Sequence, residues 1–152
     1  MTGTEPIALA RFEPARLDEL VLMWRASFEA GVGVTDPHSI AQQRDYFVGL
    51  VLPQHEVWVA LHGALLVGFV AASRESVAQL HVRVGAWRQG IGTALLDGAK
   101  QRSGGSLWLY AFARNLGARA FYARNGFAEI EHGFEPAWQL DDVKLRWAAD
   151  GR

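Results

Sequence analysis

The order in which apolar residues change period limits this chain more than any single residue type. Residues 7–12, IALARF, read as a strand. Pro14 then opens a helix in which Leu17, Leu20, Val21, Trp24 and Phe28 share one stripe, with Gly31 and Gly33 ending it. Ser39 is placed to cap a second helix running to about Val51, with Ile40, Phe47 and Leu50 inward and Pro53 as its stop. VWVAL and ALLVGFVAAS form a hairpin around His62-Gly63. A strand over 77–84 sets Leu80, Val82 and Val84 on one face and Gln79, His81 and Arg83 on the other. A glycine loop leads into a helix carrying Ile91, Leu95, Leu96 and Ala99, and Gly104-Gly105 breaks to the strand SLWLYAF. Asn115 leads a short helix through about Arg124, closed by Asn125-Gly126. Strands at about 127–132 and 142–148, joined by a loop containing Pro136, finish the series. Hairpins mixed with two strand-helix-strand crossovers predict an α/β fold, a mixed sheet with helices on both faces.

No repeat, low-complexity tract or linker interrupts this order, so residues 1–152 are expected to form a single domain. Net charge is −1 with both signs interspersed, which argues against a nucleic-acid binder. The absence of cysteine excludes disulfides, thiolate catalysis and cysteine metal sites. The five histidines (38, 55, 62, 81 and 132) show neither HxH nor HExxH spacing, so no metal is expected. The longest apolar run, residues 64–72, is too short to span a bilayer as a helix, so no membrane is expected. The amino terminus lacks a signal-peptide apolar stretch, and a cytoplasmic location is the expectation.

The loop between the 77–84 strand and the following helix reads WRQGIGT, residues 87–93. A P-loop needs Lys-Ser/Thr after its second glycine, and Ile91-Gly92 stands there instead. A dinucleotide fingerprint begins at Gly90-Ile91-Gly92 but meets Leu95 where its third glycine belongs. Two readings remain open on the heptapeptide alone. One is a tight turn; the other is a loop whose backbone N–H groups bind a pyrophosphate at a helix N-terminus.

A second motif lies in LWLYAFARNLGARAFYARNGF, residues 107–127. Val82, Gly90 and Gly92, followed by Asn115, Ala118, Phe121, Tyr122, Gly126 and Phe127, resemble the GNAT superfamily of N-acetyltransferases at every spacing. That family carries V-x₇-G-x-G/A and then N-x-x-A-x-x-F-Y-x-x-x-G-F. The resemblance implies a mixed, mostly antiparallel central sheet of about 6–7 strands. One departure stands out: Trp87 and Arg88 occupy positions where the family usually has Gln or Arg followed by Gly or Arg.

What the resemblance implies is acetyl-CoA as donor, with no metal. Its pyrophosphate is expected on Arg88, Gln89, Gly90, Ile91, Gly92 and Thr93, with a Cβ at 90 or 92 holding the phosphates away. The pantetheine arm is expected beside Leu80 and Val82, with Asn115 contacting it and the N–H near Val82 facing the thioester carbonyl. Tyr122 matches the family's general acid. Glu75 and His81 are the candidates for the base. The acceptor is expected near Trp24, Phe28, Glu29, Asp36 and Tyr46, then Phe134, Glu135 and Trp138, aromatics and carboxylates suited to a cationic amine. The expected partner is a small-molecule or peptide amine, and a homodimer is common in the family. A non-catalytic acyl-CoA sensor and a protein (lysine or N-terminal) acetyltransferase are the alternatives.

Overall fold

The computed structural model describes residues 6–150, so residues 1–5 and 151–152 of the expected domain lie outside the described residues. Its elements run β1 (Ile7–Arg11), α1 (Leu17–Val32), α2 (Ile40–Tyr46), a π turn (Phe47–Val51), α3 (Leu52–Gln54), β2 (Glu56–His62), β3 (Leu65–Ala72) and β4 (Val77–Val82). Then come α4 (Ile91–Arg102), β5 (Ser106–Phe112), α5 (Leu116–Arg124), β6 (Ala128–Glu135) and β7 (Leu140–Ala148). β1-β2-β3-β4 form one antiparallel sheet and β5-β7-β6 another. The two sheets meet at a parallel bridge between Ser76 and Trp108, with Trp108 N–H donating to the Glu75 carbonyl at 3.1 Å.

Successive residues of β3 show why helices cover both faces of the first sheet. Phe69 packs with Trp24 of α1 and Phe47, whereas its neighbour Val70 packs with Leu95 and Leu96 of α4 and with Tyr122 of α5. Both faces are apolar, so β3 is buried over nearly its whole length. The second sheet turns Leu107, Leu109, Val143 and Leu145 toward the same α4–α5 core.

Five local expectations change. Gly31 lies inside α1, and a Cβ there would come within 3.0 Å of Asn115 Nδ2, so this glycine permits close approach of α5 rather than ending the helix. Gly33, at φ 78°, is the actual cap. Ser39 does cap α2, in a capping box with Gln42. Gln43, Phe47 and Val51 face inward; Ile40, in the first turn of α2, is exposed, and the π turn that follows leaves Leu50 exposed too, while the chain stays helical past Pro53 to Gln54. The hairpin register pairs His62 with Leu65, which moves its turn one residue along to Gly63-Ala64. β4 stops at Val82 and leaves Val84 exposed.

α4 is seated on β3 at a glycine. A Cβ on Gly68 would meet the His81 carbonyl and Leu95 Cδ1 at 3.1 Å and Ile91 Cγ2 at 3.2 Å. Backbone on one side and a helix on the other leave no soft neighbour. Gly68→Val is therefore expected to lower stability by about 1–3 kcal/mol, read as a reduced urea midpoint.

Candidate active site

The glycine loop is folded by local backbone geometry. Gly85, Arg88 and Gly90 all take positive φ, at 94°, 65° and 81°. Gly90 is the N-cap of α4, so there glycine answers a left-handed backbone. Ala94 N–H makes the first helical bond, to the Gly90 carbonyl, so the N–H groups of Ile91, Gly92 and Thr93 have no acceptor within the helix. No acidic residue stands in that first turn, and residues 87–90 are exposed. The end of α4 is thus chemically suited to an anion, and open space surrounds the Gly90 Cα.

Gly92 has a packing reason to be glycine beside the one expected. A Cβ there would lie 3.1 Å from Phe121 Cζ and 3.5 Å from Val82 Cγ2. Its bare backbone lets α4, the end of β4 and the ring beside Tyr122 converge. Trp87 also finds its role: the indole Nε1–H donates to the Val82 carbonyl at 2.8 Å and ties the loop to the strand it leaves.

The edge of β4 is left open by strand register. Arg83 N–H donates to the Val67 carbonyl at 2.8 Å, so alternate residues Leu80 and Val82 turn their backbone groups away from β3. Beyond the Ser76–Trp108 bridge, β4 and β5 share no ladder among the described residues. A register shift against β3 leaves Ala78 as an extra residue on β4, a bulge that bends the strand where it parts from β5.

This gap opens into a cavity of about 920 Å³. Leu80, Asn115 and Tyr122 line it from the α4–α5 side; His81, Phe28, Tyr46, Phe134 and Trp138 line it from the face covered by α1 and α2. With Trp24, Asp36 and Glu135, these residues singled out by sequence therefore share one space. Val82 and residues 88–93 stand outside its walls, joined to Tyr122 through the Gly92–Phe121 contact. Glu29 does not line it; its Oε2 accepts the Asp36 N–H at 2.7 Å. Glu75 is exposed in the turn before β4, away from the cavity wall.

Tyr122 is 8 % exposed, its ring set edge-on to Phe121 and Phe127. Its hydroxyl has no hydrogen-bond partner among the described residues, and burial pushes its pKa up, so it stays protonated. Asn115 caps α5 by accepting the Ala118 N–H at 3.1 Å. His81 stacks on Phe69 at 5.7 Å, lies 6.0 Å from Trp24 and bonds Gln79 Oε1 at 2.9 Å. Burial there pulls its pKa down to about 3, which makes it a feeble proton acceptor. Trp24 serves as both core and cavity wall. Missed in the sequence were His38, Phe112, Tyr110 and Lys144, which also line the cavity. Only the Asp36-Pro37-His38 spacing, a carboxylate two residues from an imidazole, could have signalled the first of them.

Residues 53–129 match the acetyltransferase (GNAT) domain family. No curated protein sequence matches the chain. Among solved structures, the solution structure of apo-form YjaB from Escherichia coli is similar at 22% identity and TM-score 0.77, covering 93% of this chain and 97% of that one. The PaiA N-acetyltransferase from Thermoplasma acidophilum, crystallised in complex with coenzyme A, is 16% identical at TM-score 0.74, covering 94% and 99%. The ribosomal-protein-S18-alanine N-acetyltransferase from Escherichia coli is 18% identical at TM-score 0.73, covering 95% and 94%. These likenesses show the fold.

The buried neutral His81 carries a pH signature. Its folded pKa lies below the unfolded 6.5, so the unfolded chain takes up the proton first and stability falls as pH drops from 6.5 toward 3. His81→Gln, which cannot titrate, is expected to remove about 2 kcal/mol of the stability difference between pH 7 and pH 5, measured by urea unfolding at both.

Proposed function

Because this chain belongs to the GNAT acetyltransferase family, we propose that it moves an acetyl group from acetyl-CoA directly to a primary amine of a small molecule or peptide. The observation that carries this is the gap between β4 and β5, through which one cavity joins the Tyr122 hydroxyl to an aromatic groove. Acetyl-CoA supplies an acetyl group already activated as a thioester. The fold it requires is shared with a protein crystallised with coenzyme A.

Each part of the chain has a task in this reading. The unpaired N–H groups of Ile91 to Thr93, with Arg88, Gln89 and Gly90 before them, hold the pyrophosphate at the positive end of α4. The open backbone edge at Leu80 and Val82 pairs with the pantetheine arm as an added strand would. The Val82 carbonyl is taken by Trp87, so it is the Val82 N–H that is free to meet developing negative charge on the thioester oxygen. Tyr122, protonated and without a hydrogen-bond partner among the described residues, gives its proton to the departing sulfur. Asn115 keeps the start of α5, and with it Tyr122, against α1 through Gly31.

The acceptor half of the cavity combines the rings of Trp24, Phe28, Tyr46 and Trp138 with carboxylates of Asp36, Glu131, Glu135 and Asp142. Aromatic faces and acidic groups together suit a cationic amine with an apolar part. Tyr110 and Phe134 are more than half exposed at its rim, leaving room for a peptide as well as a small molecule. A domain that only sensed acyl-CoA would have no use for this groove.

Free-thiol release from acetyl-CoA, screened against a panel of amines, tests the assignment: release that depends on the amine supports it, and binding with no turnover for any amine contradicts it. Tyr122→Phe removes only the hydroxyl and is expected to lower kcat by about 100-fold or more while leaving acetyl-CoA affinity unchanged. An unaltered kcat removes Tyr122 from the proton path.

A further inference from the structure

Asp36 and His38 flank Pro37 in the loop between α1 and α2, and both side chains line the groove. The Asp36 side chain is only 8 % exposed and is gripped from several directions. Its Oδ1 accepts the His38 backbone N–H at 2.9 Å and the ring Nδ1–H at 2.8 Å, while Arg25 Nε stands 3.5 Å from Oδ2. Arg25 also donates to the His38 carbonyl and, at 2.9 Å, to Gln43 Oε1 of α2. Glu29 Oε2 takes the Asp36 N–H, so the loop is fastened to α1 by two side chains, one of which, Arg25, also joins α1 to α2.

A carboxylate accepts and cannot donate, so the His38 proton sits on Nδ1 and the lone pair on Nε2. The ring is 54 % exposed in the groove and meets Trp138 edge-on at 5.5 Å, among the aromatics assigned to the acceptor. His81 lies in the same cavity but packs against Phe69 and Trp24, and Glu75 faces solvent outside it. The charged groups facing the His38 ring and its partner are Asp36, Arg25 and Glu29 from the α1 side. Glu135 comes from the end of β6, where it accepts the Ala137 N–H at 2.9 Å. α2 contributes the neutral Gln42 and Gln43 to the groove.

We propose that His38, held in one tautomer by Asp36, accepts the proton that the incoming amine must lose. This rests on the acetyltransferase reading above. The acceptor ammonium gives one proton to His38 Nε2, which frees the nitrogen lone pair to form the C–N bond. The C–S bond breaks and the sulfur takes the Tyr122 proton; the second nitrogen proton restores the tyrosine. His38 returns its proton to solvent through its exposed edge. The sum is one amide, one thiol and one proton.

The test compares wild type, His38→Gln and Asp36→Asn with an amine that supports turnover, recording kcat, KM and the pH dependence of kcat/KM. His38→Gln is expected to lower kcat by about 100-fold and to abolish the acid limb of the profile, with acetyl-CoA affinity unchanged. Asp36→Asn, which leaves the ring in place but releases its tautomer, is expected to lose about 10-fold in kcat with acetyl-CoA affinity unchanged. A His38→Gln enzyme with wild-type kcat and an intact acid limb overturns the proposal alone. Wild-type protein that turns over no amine overturns acetyl transfer itself, and this proposal with it.

Discussion

β4 and β5 are hydrogen-bonded where they begin and nowhere beyond. From the Ser76–Trp108 bridge onward each strand pairs only with the neighbour on its far side, β3 or β7. Unpaired backbone inside a protein is costly unless something else satisfies it. The bulge at Ala78 bends β4 out of reach, and the cavity between the strands is what remains. Both halves of the proposed chemistry depend on that separation. It exposes the polar edge of Leu80 and Val82, and it lets the Tyr122 hydroxyl on one face of the sheet reach a groove on the other.

The loop residues hold this geometry rather than merely decorating it. Trp87 closes the Val82 carbonyl, Arg83 bonds the Leu66 carbonyl at 2.8 Å, and Glu19 of α1 accepts the Leu66 N–H at 3.0 Å. The end of β4 is therefore anchored to α1 and β3 just before the chain turns into the glycine loop. Gly92 then brings the first turn of α4 against Phe121, so the open N-terminal end of the helix and the buried phenol are set by one contact.

Much of the fold was legible because its signals are local. The stripe through Leu20, Val21 and Trp24, the Ser39 cap and the Asn115 cap each depend on a few neighbouring residues, and each is found in place. Leu50 was misplaced because the π turn adds a residue to the helical repeat, which periodicity counted at 3.6 cannot register. Gly31 was misjudged, and the packing of Gly92 went unforeseen, for a related reason: each makes room for a side chain distant in sequence, Asn115 or Phe121. In the site, Tyr122 was readable from its spacing to Asn115 and Gly126. His38 was not, since the groove that gives it meaning is assembled from α1, α2 and the β6–β7 turn.

A titration of the ¹⁵N-labelled protein with acetyl-CoA, followed residue by residue through backbone amide shifts, tests the central claim most directly. If the gap between β4 and β5 receives the donor, the largest changes fall on Arg88 to Thr93 and on Leu80 and Val82, with smaller ones at Tyr122. Saturable binding whose shifts lie elsewhere, or no shift in the loop and the β4 edge, contradicts it.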